Sequence, residues 1–194
     1  MTQPVSNVRV RRTQKLLREA LIELIEERGF EALTIGELTS RAMVSRAAFY
    51  RNYQDKYDLV EQIFEEAMSA LLNAVGDLGR EHPASSWVTF FEHIAEYERL
   101  YRALLGRKGS PWFVRKMRAA LSGLVKERGH LPHGPDAHPV HTFSDEFVPD
   151  LVSTMFVEAI TWWLEQARPY TPKEIATRAA LLASALFKEA STWQ

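Results

Sequence analysis

The sequence has no cysteine, and its 194 residues contain no long apolar run. Without cysteine the chain forms neither disulfides nor thiolate ligands, which suits a reducing cytoplasm. The most apolar stretch, residues 151–164, is interrupted by Glu158 and is too short to span a membrane. The first residues also lack the apolar core of a signal peptide. We therefore predict a cytoplasmic protein without a membrane partner.

Catalytic patterns are also missing from the sequence. It has no glycine-rich phosphate loop and no serine–histidine–carboxylate arrangement at a recognisable spacing. His93 lies close in sequence to Glu92, Glu96 and Glu98, but a solvated helix surface explains these residues more simply than an acid–base pair. The sequence therefore predicts a protein that is not an enzyme and needs no cofactor.

Basic residues exceed acidic residues only near the N-terminus, although the net charge of the whole chain is −1. Residues 1–56 hold 10 Lys and Arg against 7 Asp and Glu, whereas residues 57–194 hold 14 against 18. A local basic excess attracts the phosphates of nucleic acid. This asymmetry favours a DNA-binding domain over residues 1–56 and a domain with another role over residues 57–194.

Residues 34–56 predict two short helices joined by a tight turn. Thr34 followed by Glu37 is a capping box, so a helix begins at Thr34. Ser45 is a good N-cap for a second helix, which we expect to run to about Tyr53 with Phe49 and Tyr53 facing inward. The outward side then combines small residues with arginine, asparagine and tyrosine, a composition that suits the major groove of DNA.

Four pieces of this segment resemble the DNA-binding domain of the TetR family of bacterial transcriptional regulators. They are LTI at 33–35, AMVS at 42–45, FYRNY at 49–53, and DK at 55–56 with Leu59. The resemblance departs from the family at Met43, where a glycine is usual, and at Gly36, where relatives often carry a polar side chain. From the motif and the resemblance, the expected DNA-binding residues are Thr34, Ser45, Arg46, Ala48, Tyr50, Arg51, Asn52 and Lys56. The resemblance implies phosphate contacts for Thr34, Tyr50 and Lys56, and base or backbone contacts for the residues at 46, 48, 51 and 52.

The flanking helices support this unit. A helix ending near Arg28 presents a buried stripe, and a helix from Asp55 to about Leu78 links the DNA-binding domain to the rest. We expect residues 1–8 to form a loose arm. The basic residues at 9, 11, 12 and 15 are either part of an arm near the DNA or a solvated helix start.

The middle of the chain is helical and rich in aromatic residues, over residues 85–106 and 111–129. These side chains either fill a helical core or partly line a pocket for a small apolar or aromatic effector. TetR-family proteins generally bind effectors in this region. The candidate pocket residues are Trp87, Phe91, Tyr97, Tyr101, Trp112, Phe113 and Met117.

Four histidines, His130, His133, His138 and His141, lie in the irregular segment 129–145. Their spacing matches no zinc pattern, and no cysteine assists them. We therefore predict a polar loop there and no metal.

Two apolar helices end the chain, from residue 147 to about 167 and from 171 onward. Together they present more apolar surface than one small bundle buries, so they either form an intramolecular hairpin or pair with a second copy in a homodimer. The family usually dimerises in this way. The candidate interface residues are Val152, Phe156, Ala159, Ile160, Trp163, Ala179, Leu182, Ala183 and Leu186.

We therefore predict an all-α protein of about nine helices, in which a three-helix domain with a helix-turn-helix precedes a helical bundle that dimerises. The predicted function is a homodimeric repressor that binds a palindromic double-stranded DNA operator and is released by the effector. The stretch 91–109 and the WWL run at 162–164 more weakly resemble a branch that includes coactivators of dihydroxyacetone kinase operons. The alternative function is accordingly a coactivator whose C-terminal half docks a protein partner.

Overall fold

The computed structural model describes residues 4–76, 84–129 and 146–192. All regular secondary structure in these ranges is helical, as predicted. None of these helices is both long and apolar enough to cross a membrane. The four histidines considered above and the expected end of the linking helix near Leu78 lie outside the described residues. The helices are α1 (Pro4–Arg28), α2 (Ile35–Arg41), α3 (Arg46–Tyr50), α4 (Lys56–Gly76), α5 (Ala84–Glu96), α6 (Glu98–Leu105), α7 (Pro111–Gly129), α8 (Phe147–Glu165) and α9 (Pro172–Ala190).

The chain divides into two compact units that are each discontinuous in sequence. The N-terminal unit comprises Met1–Ala67 and Tyr97–Ser110, and the C-terminal unit comprises Met68–Glu96 and Pro111–Gln194. The first part of α4 and the whole of α6 therefore belong to the same unit as the helix-turn-helix. The functional boundary after residue 56 stays a prediction.

In the N-terminal unit, α1 packs against α2 and α6, and α2 packs against α3. The predicted stripe on α1 is buried, with Leu17, Leu21 and Ile25 fully inaccessible. The helix ends where Gly29 adopts a φ of 87°, a left-handed conformation that glycine enters without steric cost. Burial of this stripe holds α1 against α2, and α2 in turn packs against α3.

In the C-terminal unit, α5 packs against α9, α7 against α8, and α8 against α9. Aromatic contacts fill its centre. The ring of Trp87 stacks on Phe156 with centroids 4.1 Å apart, and Phe91 meets Trp163 edge-on at 5.5 Å. Much of the aromatic content of residues 85–129 is therefore core packing.

Three helix boundaries differ in detail from the sequence prediction. The segment predicted to be helical over 85–106 forms two helices, because Tyr97 lies outside the helical region (φ −105°, ψ 30°), and the second of them, α6, packs on α1. The helix expected to run to about Tyr53 ends at Tyr50. At its end, the side-chain amide of Asn52 donates a hydrogen bond to the Ala48 carbonyl and closes the last turn. Helix α1 begins at Pro4, since proline suits a first helical position, so the expected arm over residues 1–8 is partly helical.

Candidate nucleic-acid interface

Helix α2 begins with the predicted capping box. Glu37 N–H donates to the Thr34 hydroxyl oxygen at 3.2 Å, and Thr34 N–H donates to the Glu37 carboxylate at 3.0 Å. The Thr34 hydroxyl also donates to that carboxylate at 2.8 Å, and Arg28 pairs with it. The Thr34 hydroxyl, with its backbone N–H, holds the pKa of Glu37 below its ordinary value. This cap fixes the entry into the helix-turn-helix.

The turn between α2 and α3 contains Met43 with a φ of 51°. Its backbone N–H donates to the Ser40 carbonyl at 3.2 Å, and Val44 N–H donates to the Thr39 carbonyl at 3.0 Å. A non-glycine residue in this left-handed conformation costs about 1–2 kcal/mol. The Met43 side chain is 89% exposed and adds no packing in return. The turn thus keeps the geometry that a glycine would adopt, and the methionine is strained.

Helix α3 is anchored from one side. The Ser45 hydroxyl oxygen accepts the Ala48 N–H at 3.1 Å, which confirms its predicted role as N-cap. Phe49 is fully buried and Tyr53 nearly so, with ring centroids 5.6 Å apart. Tyr50 lies on the other side and is 57% exposed. The inward and outward sides therefore agree with the sequence prediction.

Four basic residues lie between residues 34 and 56, and two of them are bound within the protomer. The Arg41 guanidinium donates to both oxygens of Glu27 at 2.8 and 2.9 Å, and to Glu23 at 3.1 Å. By contrast, Arg46 and Arg51 are exposed and form no hydrogen bond or ion pair with any residue that the structure describes. The outward side of α3 therefore carries two arginines with their donors unused.

Lys56, the fourth basic residue, forms its hydrogen bonds within the N-terminal unit. Its ammonium group donates to the backbone carbonyls of Phe30, Glu31 and Leu33 at 2.8, 2.9 and 3.0 Å. Burial lowers the pKa of Lys56, and the nearby carboxylates of Glu31 and Asp55 oppose that shift. The phosphate contact of Lys56 stays a prediction, but this geometry argues against it because all three ammonium hydrogens already have acceptors.

Asn52 is also engaged locally. Its side-chain nitrogen donates to the Ala48 carbonyl at 2.8 Å, and its backbone carbonyl accepts from Gln62 at 3.2 Å. The side chain is half-buried at the end of α3. A contact between Asn52 and a base stays a prediction, and its amide has one N–H left to make it. Of the remaining candidates, Thr34 and Ser45 are exposed and Ala48 is half-buried.

The seven candidate pocket residues do not fall in one unit. Tyr97 and Tyr101 belong to the N-terminal unit, where the Tyr97 ring lies 4.3 Å beneath the Arg18 guanidinium. Tyr101 is buried, which raises the pKa of its hydroxyl. The other five residues belong to the C-terminal unit, where Trp112 is half-buried and Trp87, Phe91, Phe113 and Met117 lie in the core.

Most of the candidate dimer residues are buried inside one protomer. On α8 and α9 the inward set consists of Val152, Phe156, Ile160, Trp163, Ala179 and Ala183. Side chains with so little accessible surface offer little contact to a second copy, so their burial disfavours that prediction. Ala159 and Leu186 are half-buried, and Leu182 is 60% exposed.

Helices α8 and α9 carry a second, exposed apolar face, which we call the outer stripe. The sequence predicted more apolar surface here than one bundle buries, but it did not assign the α8 residues of this face to a dimer interface. On α8, Phe147, Leu151, Met155 and Trp162 recur at helical spacing, with the charged Glu158 between the last two. Beside Leu182, Leu181 is 66% exposed on α9. The exposed large apolar residues of the outer stripe are Phe147, Leu151, Trp162, Leu181 and Leu182.

Comparisons with known proteins agree with this architecture. The HTH-type transcriptional regulator YxbF of Bacillus subtilis is 33% identical over 61 residues, which cover 31% of this chain and 16% of that protein. The HTH-type dhaKLM operon transcriptional activator DhaS of Lactococcus lactis is 26% identical over 65 residues, 34% of this chain and 35% of that protein. The chain thus spans only about a third or less of the length of these two curated relatives.

A solved structure of a TetR transcriptional regulator from Streptococcus agalactiae has the same fold, with a TM-score of 0.60 at 21% identity over 92% of this chain and 97% of that one. Residues 17–63 match the model of bacterial regulatory proteins, tetR family, and residues 81–184 match that of a transcriptional regulator C-terminal region. Since these matches include the helix-turn-helix and more than half of the chain, the protein belongs to the tetR family of bacterial regulatory proteins.

Proposed function

We propose that this tetR-family regulator binds a palindromic DNA operator as a homodimer, represses transcription there and is released by a small effector. The observation that carries the DNA-binding part is the difference in bonding between the four basic residues of the segment 34–56. Arg41 and Lys56 are bound within the protomer, whereas Arg46 and Arg51 point outward without partners among the described residues. Unused guanidinium donors on an anchored helix suit hydrogen bonding to DNA.

The chemistry of α3 fits a major groove. Arginine binds the O6 and N7 atoms of guanine with two parallel hydrogen bonds, and each such contact contributes about 1–3 kcal/mol of discrimination. The small side chains of Ala47 and Ala48 allow the helix backbone to approach the base edges. The exposed hydroxyl of Tyr50 is available to a phosphate oxygen. These groups give α3 both affinity and sequence preference.

A second copy of the chain would cover the outer stripe of α8 and α9. Five large apolar side chains, each at least 41% exposed, lie on these two adjacent helices. Burying apolar area contributes about 25 cal/mol per Å², so a symmetric pair of such faces favours association. A two-fold dimer would present two copies of α3 to half-sites about 34–36 Å apart.

Effector release is proposed to act through α6, because α6 and its following turn hold the end of α1. Arg99 pairs with Glu26 at 3.3 Å, and the Lys108 ammonium donates to the Glu26 carbonyl at 3.1 Å. A small apolar or aromatic effector would bind in the aromatic C-terminal unit, which contains α5. Because α5 continues directly into α6, a shift of α5 would also move α6. A coupling of about 1–3 kcal/mol would lower operator affinity about 5- to 150-fold.

The experiment is selection of bound sequences from random duplex DNA by the purified protein at fixed moderate salt. We expect an enriched palindrome, and we expect Arg46→Ala and Arg51→Ala to weaken its binding and relax its base preference. Arg107→Ala is the matched control, since Arg107 is another exposed arginine without a described partner but lies outside the helix-turn-helix. Equal effects of all three substitutions would show that the arginines act only through general charge.

A coactivator that docks a protein partner is the second candidate, and the similarity to the activator DhaS favours it. It predicts that a folded dimer enriches no DNA sequence without that partner. Both candidates act on DNA in the cytoplasm, and neither assigns a catalytic role to the chain.

A further inference from the structure

Gly36 and Arg46 occupy neighbouring space although they belong to different helices. A Cβ atom added to Gly36 would lie 2.8 Å from Nη2 of Arg46 and 3.8 Å from its Cζ. Real Cβ atoms essentially never approach another heavy atom so closely. The guanidinium at the start of α3 therefore reaches back over the first turn of α2, into the volume that a side chain at residue 36 would fill.

No attractive partner within the described residues explains this position of the guanidinium. Arg46 forms no hydrogen bond or ion pair there, and Gly36 contributes no side-chain atom. The position is instead permitted by the missing side chain. The added Cβ would also lie 3.9 Å from the Thr34 hydroxyl, so the guanidinium lies on the same side of α2 as that hydroxyl.

We infer that Gly36 is a specificity-determining residue that acts through Arg46, an inference that rests on the proposed DNA binding. The absence of a side chain at residue 36 sets the direction of the Arg46 guanidinium and hence which base it contacts. Any larger residue at 36 displaces the guanidinium and not the backbone, because the crowded atom is the far end of a long flexible side chain. Substitution at Gly36 therefore changes DNA recognition while the fold persists.

The test compares Gly36→Ala, Arg46→Ala and the double variant with the wild-type protein. The matched control is Gly123→Ala, since Gly123 also lies within a helix but an added Cβ meets nothing within 4 Å. Affinity is measured for the selected operator and for operators that carry each single base-pair change. Thermal unfolding is followed in parallel, because alanine is the better helix former at both positions.

We expect Gly36→Ala to lower affinity for the selected operator about tenfold, within the range for loss of one bidentate arginine contact, and to change the preferred base at one position of each half-site. In the Arg46→Ala background the same substitution has no further effect. The melting temperature of Gly36→Ala is equal to or above that of wild type, and Gly123→Ala leaves DNA binding unchanged.

Two results overturn the inference. One is unchanged affinity and base preference in Gly36→Ala. The other is an equal loss with and without Arg46, which would mean that Gly36 acts through the α2 backbone. If the wild-type protein selects no sequence at all, the proposed DNA binding itself fails, and this outcome is distinct from both.

Discussion

Replacement of Lys56 by methionine removes one ammonium group and keeps most of the aliphatic side chain. The three carbonyls that accept its hydrogen bonds belong to residues 30, 31 and 33, in the loop that precedes the Thr34 cap. A hydrogen bond to a charged group contributes about 1.5–3 kcal/mol, but these three share one charge and the site is half open to solvent. We therefore expect Lys56→Met to lower the free energy of unfolding by about 2–3 kcal/mol, measured by urea denaturation.

The salt dependence of DNA binding separates this internal role from a phosphate contact. Each phosphate contact contributes about 0.9 to the slope of log Kobs against log salt, so losing one from both protomers reduces the slope by about 1.8. We expect Lys56→Met to leave the slope unchanged. Affinity should fall modestly at all salt concentrations, because the loop before α2 is less well held.

Arg51→Ala provides the matched comparison for Lys56→Met. Arg51 is exposed and has no partner among the described residues, so its removal should weaken DNA binding and leave the free energy of unfolding unchanged. A stable Lys56→Met variant with a slope reduced by about 1.8 would refute the internal role. It would instead support the phosphate contact that the family resemblance implies.

Three further predictions concern the turn, the cap and the outer stripe. Met43→Gly should raise the free energy of unfolding by about 1 kcal/mol, since it relieves a left-handed methionine, and a less stable variant in urea denaturation would contradict the assigned strain. Because the pKa of Glu37 in the fold is lower than its ordinary value of 4.5, its carboxylate stabilises the fold at pH values above 4.5. This contribution is lost as the pH falls through the lowered pKa. Wild type and Glu37→Gln should thus differ in unfolding free energy at neutral pH and converge in acid, and a constant difference would exclude that role. Leu181→Glu combined with Leu182→Glu should give a folded monomer by sedimentation, and an intact dimer would place the interface elsewhere.

Features that depend on neighbouring residues were predicted correctly from the sequence. The capping box at Thr34 and the N-cap at Ser45 are present, because each is decided within three residues of chain. The all-helical class and the family resemblance were also confirmed. Helix caps and helical segments can be predicted in this way because local hydrogen bonding and helical periodicity depend on residues that are close together in the sequence.

Features that depend on distant contacts were not predicted. The acceptors of Lys56 lie 23 to 26 residues earlier in the chain, so no local pattern reveals them. No proline or glycine marks the break at Tyr97 in the sequence. The break separates α5 from α6, and α6 packs on α1. Helix α8 is apolar on both sides, so its composition could not tell the core side, with Trp163, from the outer side, with Trp162.

The internal pairing of basic residues leads us to expect that this domain needs two copies to bind DNA well. Residues 1–56 have an excess of only three basic residues, and between residues 34 and 56 two of the four cations are held by the protein's own carboxylates and carbonyls. A single unit thus offers few cations to phosphates and a small counterion-release contribution. Pairing on the outer stripe would double the contacts while the second half-site binds as an intramolecular event. The same argument predicts that a folded monomer loses operator binding even though every DNA-facing residue is intact.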